Sequence, residues 1–225
     1  MKTVEINGRP LTEFSAELVA YSVGPCEFDS TYTLPLARII PVSLKSRVKL
    51  RSVAFTLDFS GQSDADIALA ISKFTANLFG EVHLDLPDGF SYWGALKKIG
   101  TPEVKAPWIQ QVTFTLMCFR HLAMQRQTVT GSTTIFAEGN VATPMVVTIR
   151  PDAGTDEVTF CGITVKDLER PVTIDGVYTT ILDADGNNRF GHSDIKEWPT
   201  LSPGDNTITV SGAATFEISY YPIFL

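Results

Sequence analysis

The residue types that carry chemistry are few in this chain and far apart. A catalytic centre needs a nucleophile, a base and an orienting group, or a set of metal ligands, brought together. His83, His121 and His192 lie in separate segments, and none has a partner at metal-ligand spacing. His83 alternates with Val82 and Leu84 and is expected to face solvent from a strand. His121 ends the apolar run Leu116–Phe119. His192-Ser193-Asp194 contains the residue types of a catalytic triad, but triads assemble in space and sequence neighbours point apart. No Gly-x-Ser-x-Gly, His-Glu-x-x-His or phosphate-cradling glycine loop occurs. The expectation is a protein with no catalytic residues and no cofactor.

The strongest metal lookalike is Asp183-Ala184-Asp185-Gly186-Asn187, with oxygen ligands at positions 1, 3 and 5 of a calcium loop and Asp194 at position 12. Position 6 is Asn188 rather than glycine, position 12 is the shorter acid, and flanking helices are absent. Asp-Gly and Asn also suit a tight hairpin because they tolerate positive φ. The hairpin reading is preferred, with no metal.

Arg38, Lys45, Arg47, Lys49 and Arg51 form a basic stretch with no acid between Ser30 and Leu57. Alternation puts Lys45, Arg47, Lys49 and Arg51 on one face of an extended segment, opposite Leu44, Val48 and Leu50. Two readings stand: a solvated strand face, or a charged ribbon facing an acidic partner, a neighbouring subunit or nucleic acid. Trp93, Trp108 and Trp198 are either packing anchors or ligand platforms.

The elements that must position these residues are mostly strands. Val53, Phe55, Leu57 and Phe59 alternate with polar residues, as do Val82, Leu84 and Leu86, and Val112, Phe114, Leu116 and Cys118. Met117 and Phe119 make the last of these apolar on both faces near its end, so it is expected to be covered on both sides. One segment has the helical period: Ile67, Ala70, Ile71, Phe74 and Leu78 form a stripe between Ser63 and Gly80. This predicts a helix over about 64–79, capped by Ser63 or Asp64 and closed by Gly80. Beyond the polar stretch 125–134, about seven short β-like runs separated by turn signals point to an antiparallel sandwich. The expected division is a β-rich domain with one packed helix at 1–124, a junction at 125–130 and a β-sandwich domain at 131–225.

The 225 residues carry a net charge of −7, and all of the excess lies beyond residue 124. Residues 1–124 hold 12 Lys+Arg and 12 Asp+Glu, whereas 125–225 hold 6 and 13. An acidic surface repels phosphate backbones, which disfavours stable nucleic-acid binding by the C-terminal half. The three cysteines are far apart and in no Cys-x-x-Cys pattern, against a disulfide framework or zinc site and consistent with a reducing compartment. No apolar run approaches the roughly 18 residues of a membrane helix, and Glu5 with the Asn7-Gly8 turn stands where a signal peptide would be apolar. A soluble, non-exported protein is expected.

The order of several segments is familiar. VEING near the start leads to PLARIIPV, a basic strand, VAFTLDFSG, one helix and EVHLDLPDGFSYWGAL. The second half carries VTIDGVYTTILDADGNNRF, EWPTLSPGDNTITV and ISYYPIFL. The terminal run is the most specific part: v-x-I-D-G, L-x-P-G-x-N-x-I and a final Y-x-P-x-x-L. The chain resembles the distal tail proteins of siphovirus-like bacteriophages over essentially its whole length. That resemblance implies a ring-forming N-terminal domain, here 1–124, and a galectin-like C-terminal sandwich. Six copies would form a ring linking the tail tube protein to a baseplate hub, a tail-associated lysin or fibre protein, or a receptor-binding protein. It implies no enzyme activity and no membrane insertion, with the protein on the virion tail tip after assembly in the host bacterial cytoplasm. The basic stretch is then the candidate subunit or partner interface, and Trp198, beside Asp194 and Glu197, a candidate glycan contact. The alternatives are a carbohydrate-binding module mediating glycan attachment and a hydrolase using Asp183, Asp185 or Asp194.

Overall fold

The structure, a computed structural model, describes residues 4–33 and 42–225, with the backbone alone for Phe28, Ser30, Tyr32, Thr33 and Val42–Val48. The chain forms two compact units, Met1–Arg120 with Leu225, and His121–Phe224. Both are antiparallel β-structures, and a single α-helix lies among the described residues.

In the first unit the strands are β1 (Glu5–Ile6), β2 (Arg9–Pro10), β3 (Ala16–Val23), β4 (Phe28–Thr33), β5 (Val42–Val48), β6 (Arg51–Ser60), β7 (Val82–Asp85), β8 (Ser91–Ile99), β9 (Glu103–Ala106) and β10 (Ile109–His121). The main sheet runs β2-β1-β7-β8-β10-β6-β3, with β9 added to β10, while β4 and β5 form a separate two-stranded sheet. β6 and β10 pair from Ser60↔Ile109 to Arg51↔Cys118. The period-2 patterns read from these strands hold: Val53, Phe55, Leu57 and Phe59 lie opposite Leu116, Phe114, Val112 and Gln110 and are buried. Full burial of such a side chain stabilises by roughly 1.5–3 kcal/mol. Helix α1 (Asp64–Ala76) lies over this face with Ile67 and Phe74 fully buried. Its first turn is capped by Ser63, whose Oγ accepts from the Asp66 N–H at 3.2 Å. The helix ends before the expected position 79. Leu78 is buried from the turn that follows, so the apolar stripe outlasts the helix, and Gly80 (φ +84) closes that turn rather than the helix itself. Gly94 is fixed by close approach of β8 to β10, because a Cβ there would lie 2.0 Å from the Met117 carbonyl oxygen.

The second unit contains β11 (Gln125–Val129), β12 (Thr133–Ala137), β13 (Thr143–Pro151), β14 (Glu157–Phe160), β15 (Ile163–Lys166), β16 (Val172–Asp175), β17 (Thr180–Asp183), β18 (Thr200–Leu201), β19 (Gly204–Ile208), β20 (Val210–Ser211) and β21 (Ala214–Tyr220). They are arranged as β11-β21-β13-β16-β17, β15-β14-β20 and β12-β19, with β18 on β13. Their inward residues share one core, including Val147, Ile149, Val158, Phe160, Ile174, Phe216 and Ile218. The stretch expected as a junction at 125–130 is mostly strand β11, paired with β21 from Gln125↔Tyr220 to Val129↔Phe216. It is an edge strand that buries only Val129, and its exposed polar residues therefore have the composition of a linker. The chain passes between units at residues 120–121 instead.

Candidate functional site

The basic stretch does not form the single row that alternation predicts. β5 ends at Val48 and a new strand begins at Arg51, so the alternation is interrupted at Lys49-Leu50, and Leu50 is left 44% exposed. Arg51 is only 4% exposed, with Nη2 donating toward Cys26 Sγ at 3.1 Å. It cannot share a solvent-facing row with Lys49, which is exposed and reaches Asp29 at 3.7 Å. Lys45 and Arg47 lie on β5 opposite Thr31 and Asp29. Arg38 lies outside the described residues. Near Arg51, burial pushes the Cys118 thiol up to about 12, which leaves it protonated and unreactive at neutral pH.

The opposite end of β6 carries the other sign. Glu17 of β3, Asp58 of β6, Gln111 of β10 and Glu103 of β9 occupy one cross-strand row. Gln111 Nε2 donates to Asp58 Oδ1 at 2.8 Å. Glu103 is held below the usual carboxylate range by a hydrogen bond from Lys105. Asp64 and Asp66 in the first turn of α1 add to this end. Between β9 and β10, Pro107-Trp108 makes a two-residue turn in which Trp108 adopts φ +67 with its side chain 54% exposed. Val104 beside it is 76% exposed, and the hollow of about 210 Å³ there is lined by Asp64, Val104, Pro107, Trp108 and Gln110. The sequence signals the turn through Pro107 only. The carboxylate row depends on the register of four strands and has no local sequence signature.

In the second unit the Asp183 loop is a hairpin. Asp183 Oδ1 accepts from the N–H groups of Asp185 (3.0 Å) and Asn187 (2.9 Å), and Oδ2 from Asn187 Nδ2 (3.0 Å). The side-chain bond from Asn187, with the backbone bonds, holds this carboxyl below its ordinary value. Gly186 supplies a positive φ (+84), but the two asparagines expected to share that role do not. Asp185 pairs with Arg170, and a shallow polar cleft of about 280 Å³ runs between Asp167, Arg170, Asp183, Asp185 and Arg189. The expected separation of His192, Ser193 and Asp194 holds. His192 Nδ1 meets Asp167 Oδ2 at 2.6 Å, Ser193 Oγ donates to the Phe190 carbonyl, and Asp194 Oδ1 accepts from the Thr164 N–H. Trp198 is half-buried against the core, with Phe190 6.4 Å away. His83 lies on the outward face of β7, as the alternation predicts, but is half-buried there, stacked on Trp93 at 4.9 Å, while His121 is buried against Tyr221.

No family model and none of the curated proteins matches the sequence. Solved structures do. The Dit protein of phage SPP1, described as a paradigm of the hub adsorption apparatus in phages infecting Gram-positive hosts, superposes with a TM-score of 0.71 at 14% identity, covering 99% of both chains. The fold is that of a phage distal tail protein. A chain of the phage P2 baseplate in its activated, calcium-containing form gives 0.58 at 11% identity over 96% of this chain and 94% of that one. The strontium form gives 0.54 at 13% identity over 93% and 92%. Within this Dit-like fold the terminal motifs are structural. Asp175 Oδ1 accepts from the N–H groups of Val177 and Tyr178, and a Cβ at Gly176 would lie 2.7 Å from the Met145 carbonyl oxygen. Asn206 ties its turn through Ser202 and Gly204, and the Tyr220 hydroxyl donates to the Phe136 carbonyl. No helix among the described residues is long and apolar enough to cross a membrane.

Proposed function

We propose that this chain is the distal tail hub of a long-tailed phage. It is a structural, non-enzymatic protein whose copies close into a hexameric ring between the tail tube and the baseplate or receptor-binding apparatus. The observation that carries this reading is the end-to-end likeness to the SPP1 Dit protein, which extends through both units rather than one. Two central strands of the main sheet are consistent with it: on β6 and β10, Ser52, Ala54, Thr56, Thr113 and Thr115 alternate with the core residues, and neither strand places a Lys or Arg on that face. A channel that passes DNA works best without phosphate-holding bases, since each neutralised phosphate adds salt-sensitive affinity. The tail tube protein would contact the ring, and a lysin, fibre or receptor-binding protein would sit on its distal side, at the tail tip of the virion. Electron microscopy of the purified full chain tests the reading. Closed six-fold rings are expected. A chain that stays monomeric at every concentration, or that forms open filaments, overturns it.

A further inference from the structure

We infer that Asn7 is a modification site: its amide is lost spontaneously when the β1–β2 turn opens, and the acid left behind keeps that corner of the first unit from closing again.

The sequence supplies the reactive pair. Asn7-Gly8 is the sole Asn-Gly dipeptide of the chain. Glycine has no side chain to shield its backbone nitrogen, and it lets the chain bend back on the asparagine. The Gly8 nitrogen then attacks Cγ of Asn7. The new N–C bond forms as the Cγ–Nδ2 bond breaks, and the amide leaves as ammonia, taking the Gly8 N–H proton. Water opens the resulting five-membered imide at either carbonyl, which leaves aspartate or its β-linked isomer at this position.

The fold holds the pair back from this chemistry. Asn7 (φ +51) and Gly8 (φ +72) are the two central residues of the hairpin between β1 and β2, with Ile6 opposite Arg9. Both ends of the Asn7 amide are tied. Oδ1 accepts from the backbone N–H of His83 at 2.8 Å, and Nδ2 donates to the Asn77 carbonyl at 2.7 Å. The Asn7 backbone N–H donates to the His83 carbonyl at 2.7 Å. Ring closure requires the amide carbon to swing onto the Gly8 nitrogen. That breaks both side-chain bonds, so the reaction proceeds only through local opening.

The same partners decide what the product does. Asn77 caps the C-terminus of α1, where a helix leaves carbonyls without an internal donor. A carboxylate has no N–H to offer that carbonyl, and it sets a negative charge at the negative end of the helix dipole. Glu5 and Asp85, directly opposite each other on β1 and β7, add repulsion from close by. The sheet order β2-β1-β7 makes β1 and β2 the cover of the β7 edge. A turn that cannot reclose therefore leaves Val82–Asp85 as an exposed edge strand.

Peptide mapping by mass spectrometry tests this on the full chain, held in native buffer and in urea at the same mildly alkaline pH. In urea Asn7 should convert ahead of every other asparagine, since none of those precedes glycine. In native buffer it should convert at least about ten-fold more slowly, because the turn is closed most of the time. Gly8→Ala should slow the conversion in urea, where strain in the folded turn plays no part. At neutral pH, Asn7→Asp should lose hydrogen-exchange protection at 82–85 while 53–59 keeps it, which also shows that the variant is folded. The chain converted in urea and returned to native buffer should show the same pattern. The rate comparison needs no variant, so it decides the matter even where a substituted chain does not fold. Equal rates in native buffer and in urea would show that the turn does not guard Asn7. An Asn7 that lags the other asparagines in urea would show that it is not the site. Protection kept at 82–85 after conversion would show that the corner recloses, and each of these results overturns the inference.

Discussion

In the first unit the rings of Phe14, Phe55, Phe59 and Phe114 converge on one side chain, Phe74 of the helix, at centroid separations of 5.0–6.4 Å. The second unit's core is chiefly Val, Ile and Leu from several sheets, with Phe160 and Phe216 as its ring pair at 5.7 Å. The difference follows from what covers the strands. A single helix touches a sheet along one stripe, so few large side chains must fill the space beneath it. Facing sheets supply many short side chains, and aliphatics interdigitate there. The first core is therefore concentrated at one residue, and the second depends on the turns that hold its strands in register.

Truncating Phe74 tests the concentrated core. Phe74→Ala should cost about 3–5 kcal/mol, because it removes a fully buried ring and leaves a cavity among four others. Hydrogen exchange read by mass spectrometry should lose protection at 53–59 and 112–118 while 145–149 and 216–220 keep theirs. Equal loss in both sets would break the comparison and show the two cores to be one cooperative body. The counterpart for the distributed core is Gly176→Ala. The added methyl meets the Met145 and Pro199 carbonyl oxygens at 2.7 and 2.9 Å. These are backbone atoms that cannot rotate away, so a cost of about 1–3 kcal/mol is expected, with protection lost at 145–149 and 172–175 only. A variant as stable as the native chain would show that the turn, and not only the side chains, is free to adjust.

The same contrast explains what was legible in the sequence. Where one face of an element meets a core, the period showed: Val53 to Phe59, Val112 to Cys118 and the stripe from Ile67 to Phe74 were readable because burial alternates with them. Leu78 misplaced the helix end, since a buried leucine in a turn continues the stripe without the helix. Gln125–Val129 read as a junction because an edge strand with one buried residue carries no apolar alternation. Arg51 leaves the row that alternation predicts because the chain breaks at Lys49-Leu50, and periodicity does not survive a break. The acidic row was invisible for a different reason: Glu17, Asp58 and Glu103 are 41 and 45 positions apart, and register alone joins them. The motifs that carried the resemblance were legible because each is a local device, as Asp175-Gly176 and Asn206 show in their turns.

The smallest expected effect lies in the turn that most resembles a metal site. Calcium needs oxygens turned inward on a sharp loop and a bidentate twelfth ligand. Here the Asp183 oxygens face the loop's own N–H groups and Asp185 faces Arg170, so both carboxylates already have partners on the protein. Replacing Asp183 and Asp185 with Asn should move the melting temperature by no more than about 2 °C, well under the shift of a core truncation. The residual effect has a definite pH sign. Because hydrogen bonds from Asn187 hold the Asp183 carboxyl below its ordinary value in the folded state, its contribution is present above that ordinary value and is lost as pH falls through the lower folded one. The native and double-Asn proteins should therefore differ slightly at neutral pH and converge in acid, and the difference should be the same with calcium as with a chelator. A ligand that binds the native state raises the melting temperature with its concentration. A calcium-dependent rise that the double-Asn variant loses would mean that the loop binds the ion, and that this turn of the second unit does more than hold its strands.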